Sequence, residues 1–137
     1  MAPECRDASD AHEWVRRARS NFARAAADPA HPDVLLEDLC FDAQQAAEKA
    51  IKGFLTWNST PFRKTHNLEE LGEQCLQLDP TLKPLVDRAV PLTKYAWLFR
   101  YPGDPEEPGR EEAEQALALA REVHGTILLR LPQEVRP

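Results

Sequence analysis

The residues best suited to chemistry gather at two places in the chain. Arg100 ends the apolar run LTKYAWLFR and stands directly before Tyr101-Pro102-Gly103. A guanidinium at the end of a buried helix can hold a phosphate or another anion through several N–H donors. A tyrosine ring beside it can stack on a base or pack under proline. Arg100 can equally neutralise a helix C-terminus and pair with Asp104 or Glu106. The second place is a basic window. No acid occurs between Glu48 and Glu69, while Lys49, Lys52, Arg63, Lys64 and His66 fall inside that interval. His66, in KTHN, precedes a capped helix, where it can make a turn-forming hydrogen bond or meet an anionic ligand together with Lys49 and Lys64. Residues 104–114 reverse the sign, with Asp104, Glu106, Glu107, Glu111, Glu112 and Glu114 against Arg110 alone. A basic patch and an acidic segment on one small chain suit complementary contacts with a partner or between copies.

Other chemistries find little support. Ser9, Ser20 and Ser59 stand in no strand-turn-helix elbow, and isolated glycines make no phosphate-cradling loop. Cys5, Cys40 and Cys75 are odd in number, far apart and without Cys or His at ligand spacing, so neither a metal nor a disulfide framework is expected. No cofactor is indicated. His12 and His31 lie in polar surroundings, and His124 falls among aliphatic positions of a helix.

The elements that must position these groups read as helices throughout. A first helix is expected after Ser9 or Asp10, with Asp10 and Glu13 as a capping box. DPAHPD stops it, because its prolines remove donors and disfavour the α region before them. Leu36, Cys40, Ala43, Ala47, Ala50 and Phe54 follow a heptad seam, which predicts a helix over about 34–57. Asp38, Asp42, Gln45, Lys49 and Lys52 are expected on its wet stripe. Gln44 and Glu48 lie on a mixed flank as structural polar residues, with Glu48 paired to a cation of a neighbouring helix such as Arg100 or Lys94. NSTPFRKTHN is a loop. Asn67 with Glu70 caps a short helix, about 68–78, and Asp79-Pro80 starts another that runs to about residue 100. Pro91 predicts a kink or break in it near Val90. YPGDPEEPG ends that helix, and a last one spans about 108–131.

The fold class expected is therefore all-α: an antiparallel up-and-down four-helix bundle with one additional short helix. Residues 10–131 form the bundle, between loose segments at 1–9 and 132–137. The chain has 137 residues, 42% apolar and 29% charged, which is one soluble domain by composition. A net charge of −6 disfavours a nucleic-acid module held by bulk basicity. No apolar run approaches the roughly 20 residues of a membrane span, and MAPECRDASDAHEW has no apolar signal region. A cytoplasmic location is the expectation.

CFDAQQAAEKAIKGFL, KTHNLEEL and LTKYAWLFRYPG, followed by a glutamate-led alanine/leucine helix, together resemble HEPN domains, the higher eukaryotes and prokaryotes nucleotide-binding domain. The resemblance spans about residues 10–131. It implies a bundle of four to five helices, usually a homodimer, often paired in prokaryotes with a minimal nucleotidyltransferase in a two-component or toxin–antitoxin-like system. Many members are metal-independent ribonucleases whose motif is an arginine followed, after four to six residues, by a histidine. Arg100 matches the arginine, whereas Pro105, Glu106 and Glu107 occupy the histidine positions. The expectation is a non-catalytic homodimer that binds a nucleotide or phosphate through Arg100, Tyr101, Lys49, Lys64 and His66. The alternative is an RNA endonuclease that uses Arg100 with Glu106, Glu107 or a dimer-mate's His66. Nucleotidylation of Tyr101 or Tyr95 by a partner is a further implication.

Overall fold

The computed structural model describes residues 7–99, 102–103 and 107–137. Among these residues five α-helices carry the fold: α1 (Asp7–Ala25), α2 (Leu36–Trp57), α3 (Leu68–Leu78), α4 (Lys83–Ala89) and α5 (Arg110–Leu128). No strand occurs among the described residues, in keeping with the all-α bundle read from the sequence. Helix α2 is the centre, packing on α1, α5, α3 and the 3₁₀ segment that follows α4. Ala43, Ala46, Ala47 and Ala50 are at most 1% exposed, so small side chains bring neighbouring helices close along its length.

The stripe of α2 expected to be wet is largely covered. Asp42, Gln45 and Lys52 are buried, and of that group only Asp38 is exposed. Periodicity marks the apolar seam but says nothing of what covers the far side. Here α1 and the loop after α2 cover it, and each polar group is matched by another. Asp42 Oδ1 accepts from Asn21 Nδ2 at 2.8 Å and from Arg24 at 2.8 Å, which ties α1 to α2.

Local signals account for the remaining boundaries. Asn67 caps α3, its side chain accepting from the backbone N–H of Glu69 and Glu70, while the Glu70 carboxylate turns to Arg63. Helix α1 begins at Asp7, ahead of the Asp10 cap expected, and Glu13 binds Arg16 and Arg17. Asp79 caps a 3₁₀ turn at Pro80–Leu82. The helix expected to reach residue 100 breaks where Pro91 requires it: α4 stops at Ala89 and Val90–Ala96 is 3₁₀. Residues 132–137, expected to be loose, contain a 3₁₀ turn whose Val135 is fully buried, with its carbonyl at 3.1 Å from His12 Nδ1.

Helices α3 and α4 approach closely enough that a Cβ on Gly72 would collide with Val86 Cγ1. Gly72→Ala removes a helix-interior glycine, worth about 1 kcal/mol in propensity, yet it must overpack a branched neighbour at about 1–3 kcal/mol. A net loss of about 1 kcal/mol is expected from the urea midpoint.

Candidate functional site

The loop between α2 and α3 is fixed by backbone and side-chain bonds at both ends. The Thr60 N–H donates to Leu55 O at 2.9 Å. The Leu68 N–H donates to Thr93 Oγ1 at 3.1 Å, joining the start of α3 to the 3₁₀ segment. Gln44 Nε2 reaches His66 O at 3.3 Å, and Gln45 Nε2 donates to Gln44 Oε1 at 2.7 Å. His66 is therefore held from its own backbone as well as its ring.

The ring meets a buried carboxylate. Glu48 is 2% exposed. Its Oε1 lies 2.8 Å from His66 Nδ1 and accepts from Gln44 Nε2 at 3.1 Å, and its Oε2 takes Lys52 Nζ at 2.8 Å. The Glu48 and Lys52 side chains are 3% and 8% exposed, whereas that of His66 is 60% exposed. Glu48 thus fixes one ring nitrogen while more than half of the His66 side chain stays open to solvent. With Nδ1–H donated inward, Nε2 accepts a proton when the ring is neutral and donates to an anionic oxygen when it is protonated. Among the described residues, Lys52, one turn along the same helix, pairs with Glu48, and Arg100, expected there with Lys94, lies outside those residues. Lys94 Nζ lies over the Tyr95 ring at 5.3 Å. An i, i+4 Glu–Lys spacing was the available signal. Its burial depends on Trp14 and Phe62, whose centroids lie 5.4 and 5.6 Å from Lys52 Nζ, and neither is adjacent in sequence.

The other candidates divide. Lys64 is exposed on the loop that carries His66. Lys49 does not join them: it donates to Asn21 Oδ1 at 2.8 Å on α1, and burial pushes its pKa down. Glu107 is exposed. Arg100, Tyr101 and Glu106 lie outside the described residues. The chain leading to Arg100 has an unusual backbone: Phe99 is 9% exposed, stacks on Tyr95 at 6.3 Å and adopts φ 65. A left-handed residue commonly ends a helix, usually as glycine, so a bulky side chain there is an outlier held by its packing.

Tyr95 is 5% exposed and donates its hydroxyl to Glu112. Burial and the Glu112 carboxylate both raise its pKa. The Tyr95 hydroxyl is thus engaged within the fold, and Tyr101 lies outside the described residues. Burial pushes the Cys40 and Cys75 thiols up to about 12, so both behave as core residues rather than nucleophiles. Among the described residues, no three His, Cys, Asp or Glu side chains converge as a metal site, and no helix is long and apolar enough to cross a membrane.

His124 is a separate case. Its ring stacks on Phe22 with centroids 5.6 Å apart, and its buried Nδ1 has no hydrogen-bond partner among the described residues. Burial, then the Arg19 charge, lower its pKa. The unfolded chain therefore takes up this proton first as pH falls below about 6.5. Stability is fully present above that value and declines beneath it. Unfolding midpoints measured between about pH 7.5 and 5 should fall less steeply for His124→Phe than for wild type.

The comparisons with known proteins agree with this architecture. The family model described as HEPN domain matches residues 11–131. The crystal structure of TT1696 from Thermus thermophilus superposes with a TM-score of 0.74 at 31% identity, covering 88% of this chain and 98% of that one. ST0689, described as an archaeal HEPN homologue, gives a TM-score of 0.66 at 24% identity, covering 88% and 96%, which shows the likeness of fold. No curated protein gives a significant match. The chain belongs to the HEPN domain family.

Proposed function

We propose that this chain is a non-catalytic HEPN bundle that binds a nucleotide or phosphate group as a homodimer beside a minimal nucleotidyltransferase partner. The observation that carries the reading is the outward-facing His66 ring, fixed through Nδ1 by a buried carboxylate. Rotational freedom of that imidazole is already lost before a ligand arrives, so little more is lost on binding. Exposed Lys64 adds positive charge on the same loop, and Arg100, which matches the family's arginine, would complete the contact with Tyr101 beside it. Pro105, Glu106 and Glu107 stand where the ribonuclease histidine would, and acids there repel the phosphodiester. Gel filtration of the chain with the product of a neighbouring nucleotidyltransferase gene tests the partnership. A shared peak is expected, and separate elution with unchanged partner activity contradicts it.

The second reading is an RNA endonuclease, and the Glu48–His66 pair specifically favours it. An imidazole oriented by a carboxylate is the usual form of a general base, and a dimer-mate's His66 could serve Arg100 across a shared cleft. Incubation with total RNA separates the two. Intact RNA is expected, and cleavage abolished by both Arg100→Ala and His66→Ala would establish the enzyme.

A further inference from the structure

A groove of about 560 Å³ opens between α1, the last turns of α2 and the loop that follows. Its volume falls among small-molecule sites. It lies at the far end of α2 from the segment leading to Arg100. Tyr95 and its partner Glu112 lie near Cys40, and at about 1.5 Å per residue Lys49 and Thr56 stand roughly 14 and 24 Å further along the helix.

The groove has an aromatic wall. Trp14 and Phe62 meet edge to face, with centroids 6.1 Å apart at 62°. The buried Lys52 ammonium anchors both rings through its cation–π contacts. Two cations line the same space, Arg17 and Lys49. Arg17 gives Nε to Glu13 at 3.1 Å, and Lys49 gives one hydrogen to Asn21, so both retain donors for a ligand. The depressed pKa of Lys49, caused first by burial, marks an ammonium short of solvation that an added anion would stabilise.

Asp10 and Glu13 also line the groove. Glu13 stays ionised to about pH 2 through its bonds to Arg16 and Arg17. These two carboxylates offset much of the charge of Arg17 and Lys49, so the lining answers one negative charge better than the two of a phosphate dianion. Ring, single charge and size together define the ligand. We propose that this groove binds a small aromatic carboxylic acid, its ring against Trp14 and Phe62 and its carboxylate between Lys49 and Arg17. The loop wall includes Ser59, a non-glycine residue held at φ 52, so that side of the groove is preset.

Calorimetric titration of the intact chain with 2-naphthoate, with 2-naphthamide, and with 2-naphthoate in the presence of excess AMP tests the site. Saturable naphthoate binding is expected, with the neutral amide at least tenfold weaker and naphthoate affinity unchanged by AMP. Lys49→Gln should weaken naphthoate by tenfold or more. Thr60→Trp, a loop change that fills the groove, should abolish binding while leaving the thermal transition in place. Absent naphthoate binding, equal binding of the amide, displacement of naphthoate by AMP, or full binding by folded Thr60→Trp would each overturn the proposal. The ligand differs from that expected at His66 and Arg100, so failure at one site is separable from failure at the other.

Discussion

Glu48→Ala is expected to remove about 3–5 kcal/mol of folding stability, a large part of what a domain of this size possesses. The loss arises because the Lys52 side chain, only 8% exposed, would keep its charge beneath Trp14 and Phe62 with no carboxylate to answer it. Gln44 and His66 would lose an acceptor in the same step. The companion experiment is the double variant Glu48→Leu with Lys52→Met, which removes both charges and keeps the volume. Replacing a buried pair by apolar residues is often neutral or stabilising, so the double variant should be markedly more stable than Glu48→Ala. Urea unfolding followed by circular dichroism reads both. Equal losses for the two would mean that packing rather than charge governs this position.

The second large effect is expected at the joint between α1 and α2. Asp42→Ala should cost about 1–3 kcal/mol, chiefly through the partner it abandons. Asn21 is 4% exposed and its Nδ2 donates to Asp42 Oδ1, while its Oδ1 receives Lys49. Water reaches neither amide end easily once the carboxylate is gone. Arg24 loses less, because its side chain is 63% exposed and can rehydrate. Asp42→Asn keeps an acceptor for Asn21 and should recover most of the stability in the same unfolding assay. A surface carboxylate would show no such difference between the alanine and asparagine variants.

These two sites separate what the sequence makes legible from what only the fold reveals. The alanine seam of α2, the Asn67 cap and the break at Pro91 were all readable, because each rests on residues close in sequence. The burial of Asp42, Gln45 and Lys52 was not. A period of about 3.6 residues separates an apolar face from a polar one, but a central helix covered on several sides has no wet face to give. Their partners are Asn21, Gln44 and Glu48, and the cover over Lys52 comes from Trp14 and Phe62, distant in the chain. His66 stood out for its basic neighbourhood, yet the carboxylate that fixes its ring is 18 residues away. The KTHN spacing alone suggested a turn. The family arginine was legible by motif, and the positive φ at Phe99 adds that the chain reverses its local hand just before it.

Calorimetric titration with ATP of the wild-type chain, His66→Ala and Lys64→Ala tests the phosphate-binding role most directly. Saturable binding is expected for wild type, weakened tenfold or more by His66→Ala and less by Lys64→Ala, with both variants unfolding near the wild-type midpoint. Absence of any saturable heat, or identical affinity in wild type and a folded His66→Ala variant, would contradict the assignment of His66 as a ligand group.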